Sequence, residues 1–211
     1  MSHFIRLIGP AIMIFIGLQL VGNVVITFLL FYSWLLLVPL MDKAFPKAQL
    51  KLDRKSAILG TASGLVFSLF IFGGLNWLHV YLVDIDSLRV LLLEWGFSGA
   101  GEIGLVLVLM IANPILEEVY WRGYMFNKLR NKGTAFSTIT LTAFFYTLYH
   151  LLSIIPIFAA GYSFAAVIPV LIAGLFWGYI REKTGSIAAT IIGHGLADFG
   201  IMCVYWFIVR N

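Results

Sequence analysis

An all-α polytopic transmembrane helix bundle of six to seven spans is the fold class this sequence predicts, on three observations. The 211 residues are 61% hydrophobic and only 11% charged, which is more apolar surface than one soluble core encloses. The apolar residues fall into runs long enough to cross a bilayer as helices, about 20 residues each. The basic residues collect in the short connectors between those runs, where topology-setting charge belongs. No linker of disordered composition intervenes, so residues 1–211 read as a single integral membrane domain.

The first apolar stretch, Phe4 to Met41, is too long for one span. As a single helix it would run about 57 Å, nearly twice the hydrocarbon thickness. A break near Gly22 and Asn23 divides it into two spans. After the first basic loop, five further segments qualify: Ser56 to Val83, Ile103 to Asn127, Thr134 to Ile155, Phe164 to Ile180 and Ser186 to Val209. Each is expected to be helical, because within lipid every backbone polar group must find its partner inside the segment. The pairs Gly60/Gly64 and Gly174/Gly178 are G-x-x-x-G spacings that let helix backbones approach closely. No A-x-A-like cleavage site follows the first apolar run, so it is expected to stay as a span.

Charge bias orients these spans. Lys43, Lys47, Lys51, Arg54 and Lys55 mark one cytoplasmic loop, Lys128, Arg130 and Lys132 a second, and Arg181 with Lys183 a third. The connector from Asp84 to Glu102 carries four acids against the single Arg89, which suits the opposite face. The expected location is a multi-pass place in the membrane, most simply the plasma membrane. The net charge of +4 forms no basic stripe interleaved with aromatics, so no nucleic-acid partner is expected. Cys203 is the only cysteine, which leaves neither an intrachain disulfide nor a cysteine-based metal motif.

Ionisable side chains within spans are costly and by default mark function. Glu117, Glu118 and Arg122 stand on one predicted helix, His150 on the next, and His194 with Asp198 on the last. Glu118 and Arg122, at i and i+4, share a face and can satisfy each other. Glu117 is rotated by about 100° and is left to face another helix, which makes it the candidate general base. Counting along each helix from the nearest basic loop places Glu117 about 16 Å deep, His194 about 13 Å, Asp198 about 19 Å and His150 about 25 Å. His150 fits this common depth worst, although helix tilt absorbs several ångströms. With His150 sharing the activation of a water and His194 and Asp198 facing the same point, the set suits attack of water on a carbonyl.

The run Glu117-Glu118-Val119-Tyr120-Trp121-Arg122-Gly123, then Tyr146-x-x-x-His150, then His194-x-x-x-Asp198, resembles the E-E-x-x-x-R, F-x-x-x-H and H-x-x-x-N/D motifs of the CPBP family. That family, formerly called Abi, joins CAAX prenyl endopeptidases to bacteriocin-processing and self-immunity membrane proteins. The resemblance covers about Ile103 to the C-terminus, so residues 103–211 are expected to form the catalytic core. It implies an intramembrane endopeptidase in which Glu117 and His150 activate the water, His194 and Asp198 stabilise the oxyanion, and Glu118 with Arg122 hold the site together. The implied partner is a membrane-associated or lipid-modified peptide or protein within the lipid bilayer, with no cofactor. Tyr146 stands where the motif has Phe, which adds a hydroxyl. Asp198 stands where prenyl endopeptidases have Asn, and a carboxylate beside an oxyanion would repel it. Asp198 is therefore either protonated or serves to orient His194 as an acceptor.

Other readings compete. Zinc held by Glu117, His150, His194 and Asp198 is the nearest, since imidazole and carboxylate ligate it, but no H-E-x-x-H is present. Gly96-Phe97-Ser98-Gly99 matches the G-x-S-G of rhomboid serine proteases, yet it reads more simply as a loop turn. From other classes, a proton-coupled transporter also places acids and imidazoles in a bundle, and a non-catalytic immunity or scaffold protein would keep the fold without turnover.

Overall fold

The computed structural model describes residues 2–210. Among them, seven helices are long and apolar enough to cross a membrane: α1 (His3–Val21), α2 (Val24–Met41), α3 (Arg54–Leu82), α5 (Gly101–Arg130), α6 (Ala135–Ile154), α7 (Ser163–Thr184) and α8 (Ala188–Val209). A short helix, α4 (Ile85–Glu94), lies between α3 and α5. The expected polytopic bundle is therefore observed, with its first apolar stretch divided as the sequence predicts. Gly22 takes the left-handed backbone conformation, φ 67°, which costs glycine nothing. Asn23 then caps α2 by accepting the Ile26 N–H at 3.0 Å. Asp53 and Thr134 cap α3 and α6 in the same way, on Ser56 at 2.6 Å and Ser137 at 3.2 Å. Each supplies an acceptor for one of the donors a helix start leaves open.

The acidic connector Asp84 to Glu102 has more structure than its sequence pattern suggests, because it contains α4. Asp84 caps that helix on Ser87 at 3.1 Å, and Arg89 donates to the Val209 carbonyl at 2.6 Å. Gly96 and Gly99, with φ 91° and 53°, make the turn expected of that tetrapeptide.

The three basic loops gather at one face of the bundle. Lys128 pairs with Asp42 at 3.0 Å, Arg130 with Glu182 at 3.2 Å, and Ser186 Oγ donates to the Lys51 carbonyl at 2.6 Å. At the other face Arg210 pairs with Glu102 at 3.0 Å, and the Ala159 N–H reaches the Leu82 carbonyl at 2.9 Å.

Small residues bring the helices together where side chains would block them. A Cβ added to Gly60 would stand 2.5 Å from the Ala189 carbonyl oxygen, and one on Gly64 would stand 2.6 Å from Leu196 Cβ, so α3 and α8 touch through backbone. Gly174 gives α7 the same closeness to Ala143 of α6, at 3.2 Å.

Two stretches of α5 widen into π-helical turns, Val108–Ala112 and Val119–Met125. The first precedes Asn113-Pro114. Proline lacks an N–H and crowds the preceding turn, and a wider turn accommodates both effects. The second is buried on every side, and the α1–α2 hairpin grips it near the basic face. Tyr120 Oη donates to the Arg6 carbonyl at 2.6 Å, and Trp34 Nε1 donates to Tyr120 Oη at 3.0 Å. Arg6 pairs with Asp42 at 2.8 Å, and Tyr124 Oη donates to the same carboxylate. That hydroxyl first, then Lys128 and Arg6, hold the Asp42 carboxyl down at about 2.

Candidate active site

Glu117 and Glu118 occupy consecutive positions in the turn before the second π-helical stretch, so they point in directions about 100° apart. Glu118 and Arg122 are almost completely buried and pair at 2.8 Å, Oε1 to Nη1. The guanidinium lies over the Tyr146 ring, 4.3 Å from its centroid, and 5.7 Å from that of Trp177, with Nη2 donating to the Gly174 carbonyl at 3.4 Å. A planar cation between aromatic faces is where arginine outperforms lysine. A buried ion needs such partners, because desolvation otherwise destabilises it by several kcal/mol.

His194 is the hub. It enters from α8, buried, with Trp177 stacked on its ring at 4.9 Å and 22°. Its Nδ1 lies 3.1 Å from Glu118 Oε1, so one carboxylate oxygen receives both the guanidinium and the imidazole. The opposite nitrogen, Nε2, faces Asp198 Oδ1 at 3.5 Å, Tyr146 Oη at 3.5 Å and Glu117 Oε2 at 3.8 Å. The sequence left Asp198 either protonated or orienting His194. The closer contact is Glu118's, through the other ring nitrogen.

The structure therefore brings together five of the six residues singled out: Glu117, Glu118, Arg122, His194 and Asp198. His150 borders them. Its Nδ1 bonds the Tyr146 carbonyl at 2.9 Å, and a carbonyl only accepts, so the proton resides on Nδ1 and Nε2 carries the lone pair. The ring packs against Tyr146 and Tyr149 at 4.4 Å each. It makes no hydrogen bond or ion pair with Glu117. The residue whose hydroxyl reaches His194 is Tyr146, one turn earlier on α6, which accounts for the poor depth match of His150.

Four participants were not evident from sequence. Asn113 Nδ2 donates to Asp198 Oδ2 at 3.2 Å, and Tyr32 Oη donates to Asn113 Oδ1 at 3.1 Å. Trp177 walls the His194 ring. The buried Tyr149 hydroxyl faces the Glu117 carboxylate and engages it. Asn113 stands four residues before Glu117, a spacing that shares a helix face. The others come from distant segments and left no local signal. Among the described residues, no three His, Cys, Asp or Glu side chains are arranged to hold a metal ion.

Fold and site together define a polytopic membrane protein with a carboxylate–imidazole centre inside its helix bundle. Residues 99–200 match the family model described as type II CAAX prenyl endopeptidase Rce1-like, and through this segment the chain is similar to the CPBP family. The match takes in all six residues singled out and leaves α1 to α4 outside. It supports a protease of the CAAX type. No curated protein and no solved structure matches the chain.

Proposed function

We propose that the protein is an intramembrane endopeptidase that hydrolyses a peptide bond of a membrane-associated or lipid-modified peptide or protein, using a water activated by Glu117 and His150. The observation that carries this reading is the set of contacts around His194, whose one nitrogen is held by Glu118 while the other faces Glu117 and Asp198. Glu117, whose carboxylate faces His194 and the Tyr149 hydroxyl, takes a proton from the water. The lone pair of His150 Nε2 holds the same water. The resulting hydroxide attacks the scissile carbonyl, and its carbon–oxygen π electrons move onto the oxygen.

His194 in its charged form donates from both nitrogens. Nδ1–H remains on Glu118, and Nε2–H meets the oxyanion. The proton held by Glu117 then passes to the nitrogen as the carbon–nitrogen bond breaks. Glu118 and Arg122 keep the imidazole from turning, and no metal takes part. Prenylated tails, bacteriocin leaders in processing or self-immunity, and membrane-protein segments are the substrate classes this chemistry serves, most simply in the plasma membrane.

Comparative membrane proteomics of cells carrying the wild type or Glu117→Ala tests the reading. A peptide or protein that accumulates uncleaved in the variant is expected. Identical proteomes, with proton-dependent uptake by the purified protein in liposomes, would make it a transporter instead.

A further inference from the structure

We propose that Asn113 is a positioning residue for the reaction centre, and that Tyr32, Asn113 and Asp198 form a relay by which the N-terminal hairpin fixes the carboxylate beside His194. The inference rests on the peptidase reading. Asn113 is buried, and its amide is engaged at both ends, to Asp198 Oδ2 at 3.2 Å and to Tyr32 Oη at 3.1 Å. An ionised carboxylate only accepts, so the amide nitrogen must face Asp198, and the carbonyl is left for the Tyr32 hydroxyl. The orientation of the amide is therefore set at the Asp198 end, and the Tyr32 hydroxyl, which can donate or accept, follows it.

The other oxygen of Asp198 lies 3.5 Å from His194 Nε2, the nitrogen that Glu117 also faces. Two carboxylates on one imidazole nitrogen, next to a developing oxyanion, oppose the reaction unless the charge of one is held away. A hydrogen bond from Asn113 does this: it draws the Asp198 charge toward Oδ2 and fixes the rotamer that presents Oδ1 to His194. The position of Asn113 follows from α5. The π-helical turn ending at Ala112 resets the helix phase, after which Asn113 and Glu117 share one face at i and i+4. Tyr32 belongs to α2, outside residues 99–200, so an element beyond the family segment reaches into the centre.

The experiment uses the full chain in liposomes, with a fluorescence-quenched peptide farnesylated on a cysteine three residues before its C-terminus. Asn113→Ala is expected to lower kcat about tenfold or more while KM stays within about twofold, the pattern of lost transition-state positioning. Asn113→Asp, which sets two carboxylates together, should lower it further. The reciprocal exchange Asn113→Asp with Asp198→Asn restores one amide beside one carboxylate, and should recover kcat to within about fivefold of wild type. Tyr32→Phe should lower kcat in the wild type and have no effect once Asn113 is alanine.

Wild-type kcat in Asn113→Ala would overturn the proposal, as would a folded exchange variant no more active than Asn113→Asp. Should the exchange variant not fold, a thermal-unfolding cycle of Asn113→Ala with Asp198→Ala decides the matter: non-additive shifts support the relay and additive ones refute it. A wild type that cleaves no membrane peptide would instead fell the peptidase reading, and the unfolding cycle would still test the relay.

Discussion

His194 Nδ1 lies 3.1 Å from Glu118 Oε1, and this contact turns the opposite face of the imidazole toward Glu117. The same Glu118 oxygen receives Arg122 at 2.8 Å, so the i,i+4 pair on α5 is also the device that sets the ring angle of a residue on α8.

Glu118→Gln should therefore lose activity by about two orders of magnitude, the range seen when a group that positions catalytic donors is lost. The amide keeps the shape but leaves the buried Arg122 guanidinium without its counter-charge, so this variant should also be less stable than the wild type. Arg122→Ala leaves the Glu118 carboxylate buried and uncompensated, which should destabilise the protein by about 3–5 kcal/mol. Turnover and thermal unfolding of both variants in detergent check this. A fully active Glu118→Gln would show that His194 needs no such partner.

The hairpin's grip on α5 is pH-dependent. Asp42, held at about 2 by Tyr124, Lys128 and Arg6, has a folded value below its unfolded one. The stability it contributes is present above its ordinary value near 3.8 and is lost as pH falls toward 2. The melting temperature should drop through that window in the wild type, and Asp42→Asn should flatten the drop. Equal pH slopes for the two proteins would contradict the assignment.

The metal question turns on Asp198. A neutral amide can still accept from Asn113, so Asp198→Asn should keep measurable activity, while Asp198→Ala should cost more, since single oxyanion-site groups are worth about 3 kcal/mol. A zinc site of Glu117, His150, His194 and Asp198 would behave differently, because Asn ligates zinc poorly. An inactive, metal-depleted Asp198→Asn protein beside a metal-replete wild type would rule out the metal-free mechanism.

The loops bearing Lys51 and Lys132 face the same side in the structure, and the Lys/Arg bias predicts that this side is the cytoplasmic one. In a Cys203→Ser background, Lys51→Cys and Lys132→Cys should both react with an impermeant thiol reagent applied to the cytoplasmic side. Labelling of the two from opposite sides would contradict the topology.

How much of this was legible in sequence follows from what each signal encodes. Hydropathy and caps act within one segment, so the spans, the break at Gly22-Asn23 and the Glu118–Arg122 pair could be read directly. Helix α4 could not, because ten residues of acidic, half-apolar sequence resemble a connector until Leu88 finds the bundle. Helical periodicity places a side chain on a face of its own helix but does not name the partner that face meets. Tyr32 is 81 positions from Asn113, and Asn113 is 85 from Asp198. The closer contact of Glu118 with the His194 ring was hidden for a related reason: the i,i+4 spacing put Asp198 near the ring but could not show which nitrogen faced it. Depth counted along helices flagged His150 as the outlier, and the structure shows the reason, since Tyr146 is the α6 residue level with His194.

Hydrolysis by the purified protein in liposomes tests the central claim most directly. Wild type, Glu117→Ala and His150→Ala are compared on one membrane substrate, with cleavage followed by mass spectrometry and membrane insertion confirmed for each. The account predicts cleavage by the wild type alone. Normal turnover by either inserted variant would remove that residue from water activation and contradict the mechanism.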